Sequence, residues 1–225
     1  MLSNLIYKSA RDCPTVIPLF PLPEALLLPR AHIPLNIFEP RYLMMIDDAL
    51  KAERMIGVIQ PHVDKGSSPL LPALYHIGCL GRITQFAETG DGRYHVTLTG
   101  ITRFEIVQEL LSTTLYRQAQ VDYSAYEADF ISHAGEDDVD SSAVLKSLRR
   151  FAEIHEIEID WKSVKSAPIE ALVNALAMMS PYGAREKQAL LEIPHLKERA
   201  ELLIALTEIE EARNTSTQGE SNGLQ

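Results

Sequence analysis

The sequence predicts an α+β protein in which an antiparallel β-sheet comes first and a helical bundle follows. Ten of the thirteen prolines lie at or before Pro72, among short alternating apolar runs that are typical of strands. After Ser141 the apolar residues instead recur at helical spacing. Several short strands without a strand–helix–strand rhythm indicate a sheet that is closed or folded over on itself.

Six stretches of the first half have the character of strands. The hairpin is the clearest, because "GCLGRITQFAETGDGRYHVTLTG" has a turn signal at Asp91–Gly92, followed by Tyr94, Val96 and Leu98 on one face. The other candidates are residues 15–20, residues 33–37, residues 56–60, "TRFEIVQEL" and "LYRQAQVDYSAY".

A short helix begins at Pro40, since proline suits the first helical position. Glu39 is then the N-cap, and Phe38 is placed to pack against Leu43 as a hydrophobic staple. Arg41 lies in the first turn, where the helix dipole disfavours a positive charge. We interpret it as a structural clamp that ties this strand-to-helix corner to the sheet, with ligand contact as the alternative. The corner consists of Glu39, Pro40, Arg41 and Tyr42.

The second half contains the helical patterns. Residues 142–155 have Asp140 and Ser141 as capping candidates. A broad apolar stripe follows Pro168, Pro194 ends the short pattern "AREKQALLEI", and a last pattern runs toward Arg213. Stripes this wide bury against one another, which indicates a small bundle.

These patterns predict five regions along the chain. They are a flexible N-terminus (1–13), a β-rich subdomain (14–126), an acidic linker or loop (127–141), a helical bundle (142–213) and a disordered tail (214–225).

Composition narrows the functional classes. The formal net charge of −10 argues against nucleic acid as a main partner, because phosphate binding depends on basic clusters. The tightest such cluster is Lys146, Arg149 and Arg150, so RNA binding is retained only as an alternative. No secretory signal and no run of about 18 apolar residues is evident, so we expect a cytoplasmic protein with no membrane association.

The sequence offers no catalytic, cofactor-binding or metal-binding motif. The phosphate loop GxxxxGK[ST], the elbow GxSxG and the SxxK pair are all missing. "HEIEID" lacks the second histidine of a zinc motif, and His76 with Cys79 is only half a site. Trp161, at a corner between helices, is interpreted as a packing residue rather than a ligand anchor.

Four motifs closely resemble the substrate-recognition domain of Lon-type ATP-dependent proteases. They are "IPLFPLPEALLLPRAHIPLNIFEPRYLMMIDDAL", "GCLGRITQF", "DGRYHVTLTGITRFEI" and "EKQALLEIPHLKERAELLIAL", and the resemblance spans residues 15–211. It implies a PUA-like pseudobarrel followed by a helical bundle. It also implies a role in binding polypeptides that are to be unfolded or degraded.

A full Lon protease continues into an ATPase module and a Ser–Lys protease module, whereas this chain ends. We therefore expect a stand-alone, non-catalytic recognition module for unfolded or damaged polypeptides that works with a separate ATP-dependent protease. A dedicated scaffold for one protein partner is a further alternative. Exposed apolar side chains would bind the client, and the candidates are Phe38, Met44, Leu70, Leu71, Leu74 and Tyr75.

Overall fold

The computed structural model describes residues 7–62 and 72–222, with side chains as far as residue 213. It contains six strands: β1 (Val16–Pro21), β2 (His32–Ile37), β3 (Met55–Ile59), β4 (Ile77–Glu88), β5 (Tyr94–Leu110) and β6 (Arg117–Asp122). The helices are α1 (Pro40–Lys51), α2 (Ser141–Ile154), α3 (Trp161–Ser166), α4 (Ile169–Met179), α5 (Ala184–Glu192) and α6 (Leu196–Asn222). Three short 3₁₀ helices are Ala10–Asp12, Ser124–Phe130 and Glu136–Asp138. The predicted α+β class is confirmed.

The strands form one sheet in the order β2–β5–β4–β3–β1–β6, and β5 pairs a second time, with β6. Five strands therefore close into a ring, while β2 lies outside it and, among the described strands, pairs only with β5. The pairing of β1 with β3 is parallel, so the sheet is mixed rather than wholly antiparallel. "TRFEIVQEL" is not a separate strand but the continuation of the 17-residue β5.

The ring encloses an apolar core that leaves no room for an extra methyl group at its centre. Ile17, Leu19, Leu80 and Phe104 are fully buried there. A Cβ added to Gly78 would lie 2.5 Å from the Phe104 ring and 2.6 Å from the Val58 carbonyl oxygen. Glycine at this position therefore allows the β3 backbone and the aromatic ring to approach β4 closely.

The chain divides into two compact units. The β unit consists of residues 1–132 and 181–192, and the helical unit consists of residues 133–180 and 193–225. Helix α5 thus belongs with the sheet, although we predicted residues 142–213 as one bundle. In the helical unit α6 packs against α2 and α4.

Buried polar contacts explain why α5 belongs to the β unit. Gln60, at the end of β3, donates from Nε2 to the Ala184 carbonyl and to the Gln188 side chain, each at 3.1 Å. The Lys187 ammonium donates to the Glu24 carbonyl at 2.9 Å. Burial lowers the pKa of this lysine. A periodic apolar pattern cannot predict such contacts, because their partners lie more than 100 residues away.

An ion pair is buried inside the β unit. Arg103 of β5 is 1% exposed. Its Nε and Nη2 donate to the two carboxylate oxygens of Asp129 at 2.9 and 2.7 Å, and Nη1 donates to the Leu191 carbonyl of α5 at 3.1 Å. The guanidinium also lies 4.3 Å from the centre of the Tyr126 ring.

Three predicted regions differ from the structure. Residues 127–141 are not a loose acidic linker, because Asp129 is buried in the ion pair and the Glu136 carboxylate accepts the Glu170 N–H at 2.9 Å. Cys13 is buried in the core and Tyr7 and Ala10 pack against it, so the predicted flexible N-terminus is anchored to the sheet by these three residues. Helix α6 continues to Asn222, into the segment predicted to be disordered, since no proline there stops it.

Candidate functional site

Exposed apolar side chains occur together in the β unit, where α1 begins and where the β4–β5 hairpin ends. Phe38 is 61% exposed, Met44 is 39% exposed and Phe86 is 37% exposed. Single exposed apolar residues are common on protein surfaces, so only their grouping makes these three informative.

Contacts between the hairpin and α1 bring these side chains into one region of the β unit. The rings of Phe86 and Tyr94 meet edge to face with centroids 4.9 Å apart. The Tyr94 hydroxyl donates to Asp47 Oδ1 at 3.0 Å, and Met44 lies one turn before Asp47 on α1. We call the surface formed by Phe38, Met44, Phe86 and Tyr94 the hairpin–helix patch.

Phe38 contacts the same hairpin through a cation–π interaction with Arg93. The Arg93 guanidinium lies 5.9 Å from the centre of the Phe38 ring. The predicted staple with Leu43 does not bury this ring, because most of its surface stays exposed. An aromatic ring held at one side and open at the other is suited to contact another molecule.

In the corner before α1, Arg41 contacts Glu39 and Tyr42, and Tyr42 in turn contacts the sheet. Arg41 pairs with Glu39 through Nη2 at 2.8 Å and Nε at 2.9 Å, and its guanidinium lies 4.5 Å from the centre of the Tyr42 ring. Tyr42 packs against Phe20 of β1, with ring centroids 4.6 Å apart. Glu39 occupies the N-cap position, but its side chain makes no capping hydrogen bond because it binds Arg41.

Two tyrosines fix the acidic side of α1. The Tyr94 hydroxyl binds Asp47, and the Tyr116 hydroxyl donates to Asp48 Oδ2 at 2.9 Å. The hydrogen bond to Asp47 raises the pKa of Tyr94, while burial and the bond to Asp48 raise the pKa of Tyr116 to about 12. Both carboxylates are therefore engaged as acceptors, which does not favour the acid–base role that adjacent aspartates could suggest.

The structure separates the remaining predicted residues. Leu74 is 8% exposed and belongs to the hydrophobic core, so its side chain is not available to a client. Tyr75 is half-buried and stacks on His62, with centroids 4.5 Å apart. Leu70 and Leu71 lie outside the described residues. Of the residues proposed from the sequence, Phe38 and Met44 are exposed, and the sequence did not propose Phe86 or Tyr94.

A groove with a volume of about 610 Å³ borders the patch along β2, β4 and β5. It shares Phe86 with the patch and runs beside the edge strand β2. The residues that line it are Pro34, Leu35, Asn36, Gln85, Phe86, Ala87, His95, Val96 and Thr97. Pro34 fits an edge position because it has no N–H to contribute to a ladder.

The basic cluster considered for RNA binding is largely engaged by neighbouring side chains. Arg150 forms ion pairs with Glu208 at 3.5 Å and with Glu211 at 3.2 Å. The Arg149 guanidinium lies 5.1 Å from the centre of the Trp161 ring. Carboxylates and an aromatic face thus compete with phosphate for these cations, which weakens the RNA alternative.

Within the described ranges, no group of three or more His, Cys, Asp or Glu side chains is arranged to hold a metal ion. Over the same part of the chain, no helix is long and apolar enough to cross a membrane.

Residues 16–208 match the family described as the ATP-dependent protease La (LON) substrate-binding domain. Among curated proteins, the chain is 26% identical over 202 residues to Lon protease of Anaeromyxobacter dehalogenans and 27% identical over 202 residues to Lon protease 2 of Myxococcus xanthus. Each match covers 87% of this chain but only 23% and 24% of those proteins. The chain therefore spans about a quarter of the length of these relatives.

Two solved structures share the fold. A Lon N-terminal domain protein from Xanthomonas campestris is 23% identical with a TM-score of 0.58, and the match covers 85% of this chain and 98% of that chain. The N-terminal domain of the Mycobacterium avium complex Lon protease is 17% identical with a TM-score of 0.60, covering 86% and 98%.

Proposed function

The chain belongs to the family of Lon substrate-binding domains, and from this premise we propose that it binds exposed apolar segments of unfolded or damaged polypeptides through the hairpin–helix patch. The observation that carries the proposal is the occurrence of Phe38, Met44 and Phe86 as exposed side chains in one region of the β unit. The match falls on a substrate-binding domain, and no ATPase or protease domain is found along the chain. The role proposed is recognition, with cleavage left to a separate ATP-dependent protease.

The physical chemistry of the patch fits a client of variable sequence. Burying apolar surface contributes about 25 cal/mol per Å² without requiring a defined geometry. Met44 is flexible and polarisable, so it can adapt to different partners, while the aromatic rings provide flat contact area. Folded proteins have their apolar segments buried, and such a surface would therefore distinguish unfolded chains from folded ones.

The groove beside the patch supplies a second type of contact. In the part of the chain that the structure describes, β2 pairs only with β5, so an extended client segment could pair with the other edge of β2 while the client's side chains reach the patch. Pro34 lacks an N–H, which limits how many backbone hydrogen bonds this edge can form. The apolar contacts therefore carry most of the affinity that we propose.

The test compares a chemically unfolded model protein with its native form. We expect micromolar binding of the unfolded form, measured by fluorescence anisotropy, and no binding of the native form. The double variant F38S/M44S should weaken binding about tenfold, which corresponds to about 1.4 kcal/mol.

The matched control is L111S/L115S, which removes two exposed leucines of the β5–β6 loop that do not belong to the patch. It should change the Kd by less than about twofold. The proposal is wrong if folded and unfolded forms bind equally, or if the two double variants weaken binding to the same extent.

A further inference from the structure

The helical unit contains a cavity of about 360 Å³ at the corner between α2 and α3. Trp161 forms an aromatic wall, and Ala152 and Ile157 supply apolar surface. Three glutamates also line the cavity. The residues that line the cavity are Arg149, Ala152, Glu153, Glu156, Ile157, Glu158 and Trp161.

The three glutamates at this cavity are not neutralised. Glu153, Glu156 and Glu158 are exposed, and none of them forms an ion pair with a described side chain. The helical unit as a whole carries 15 acidic and 8 basic residues, so −7 of the net charge of −10 lies there. This charge is complementary to a cationic ligand.

The aromatic wall is suited to the same kind of ligand. The Arg149 guanidinium lies over the Trp161 ring at 5.1 Å, within the range of a cation–π interaction. No described carboxylate lies within ion-pair distance of Arg149, in contrast to the neighbouring Arg150. The indole face thus accommodates a planar cation from the chain itself, and an incoming cation would compete with Arg149 for it.

The end of α2 fixes one of the glutamates at the cavity. Glu156 adopts the left-handed conformation (φ 53°), and the N–H of Ile157 donates to the Ala152 carbonyl at 2.9 Å. This is the hydrogen bond that closes a helix in the Schellman motif. This hydrogen bond fixes the backbone conformation at Glu156. The Glu156 side chain therefore leaves the backbone at a defined position beside the cavity.

We propose that this cavity binds an arginine or lysine side chain of a client polypeptide. The proposal rests on the proposed function and narrows it, since clients that combine an apolar segment with a basic residue would bind more tightly than apolar segments alone. Two weak contacts on one client act as linked binding events, which raises the overall affinity without a large single interface.

Trp161 is the only tryptophan, so its fluorescence reports directly on this cavity. We would titrate the full chain with a short arginine-containing peptide and with the same peptide carrying citrulline, which keeps the shape of arginine but not its charge. The arginine peptide should change the emission and saturate, and the citrulline peptide should not. E156Q/E158Q should weaken binding of the arginine peptide about fivefold.

Two further variants determine whether the effect is local. E198Q/E201Q removes the same charge from exposed positions of α6 that do not line the cavity, and it should change the Kd by less than about twofold. R149Q should instead strengthen binding about twofold or more, because it vacates the indole face and removes a like charge.

The proposal is overturned if arginine and citrulline peptides bind equally, if both double variants weaken binding to the same degree, or if R149Q weakens it. The patch variant F38S/M44S should leave the Trp161 response to the short peptide unchanged. Failure at the cavity with intact binding of unfolded protein would therefore refute this inference alone, while loss of unfolded-protein binding would refute the proposed function.

Discussion

At the scale of single residues, the contacts of Arg103 hold together three segments of the β unit. Its backbone N–H and its guanidinium both bind Asp129, which lies in the 3₁₀ helix Ser124–Phe130, and Nη1 reaches the Leu191 carbonyl. A guanidinium that is 1% exposed has little access to water. The stability of the fold therefore depends on the Asp129 carboxylate, because a buried guanidinium without a countercharge is strongly unfavourable.

We predict that D129N lowers the free energy of unfolding by about 3–5 kcal/mol, since it leaves Arg103 buried without a countercharge. Urea denaturation followed by far-UV circular dichroism measures the change. The control is E109Q, which breaks the partly exposed pair between Arg117 (19% exposed) and Glu109 (43% exposed) and should cost only about 1 kcal/mol. Equal losses in the two variants would show that burial adds nothing to the Arg103–Asp129 pair.

At the scale of elements, two aspartates cap helices of the helical unit. Asp140 Oδ1 accepts the N–H groups of Ser142 and Ala143, each at 3.0 Å, at the start of α2. Asp160 Oδ1 accepts the N–H of Lys162 at 3.0 Å at the start of α3. Hydrogen bonds from Ser142 and from Ser163 are the main causes that lower the pKa of Asp140 and of Asp160 respectively.

Because folding lowers both pKa values, the capped helices gain stability at any pH above the ordinary aspartate value. They lose it as the pH falls from about 4 through the lowered pKa values. We predict that D140N/D160N flattens this acid-induced loss of helical signal while changing stability little near neutral pH. Asparagine caps helices as well as aspartate but does not titrate. An unchanged acid transition in the double variant would contradict the prediction.

Short sequence motifs predicted where helices and turns begin better than they predicted which distant residues contact each other. The N-cap Glu39 before Pro40, the cap Asp140 and the turn at Asp91–Gly92 depend on a few adjacent residues, and the structure has all three where they were expected. The pair Arg103–Asp129 has no such signal, because its members are 26 residues apart and each looks like an ordinary surface charge.

The candidate site shows the same limit. Met44 was proposed because it is apolar on the polar side of α1, and Phe38 was proposed beside it although it was also predicted to pack against Leu43. The sequence assigned Tyr94 correctly to the apolar face of β5. Alternation along a strand does not show, however, which residues of that face are covered by other parts of the protein and which are exposed. Phe86 and Tyr94 therefore became recognisable as surface only once the hairpin and α1 were placed together.

At the scale of the whole molecule, the β unit is discontinuous in sequence. The chain leaves it after residue 132, returns for residues 181–192 and leaves again. Helix α5 supplies the acceptors at Ala184, Gln188 and Leu191 for buried donors of the sheet. A division of the chain near residue 126 or residue 141, as the sequence pattern suggested, would separate these donors from their partners.

We predict that a fragment of residues 1–132 is several kcal/mol less stable than the β unit of the full chain, because each buried donor left without an acceptor costs about 1–3 kcal/mol. Urea denaturation of the fragment measures this. Adding a peptide of residues 181–192 in excess should recover part of the loss. A fragment that unfolds at the same urea concentration as the full chain would show that α5 contributes nothing to the sheet.

The late position of α5 in the sequence also determines the order in which the β unit can be completed during synthesis. All six strands leave the ribosome before the helix that completes their hydrogen bonding has been translated. The α5 acceptors of Gln60 and Arg103 lie 124 and 88 residues further along the chain, and until they are made the nascent sheet presents unsatisfied polar groups to the cell. A chaperone that holds the growing chain until α5 emerges would therefore act on this half of the molecule first.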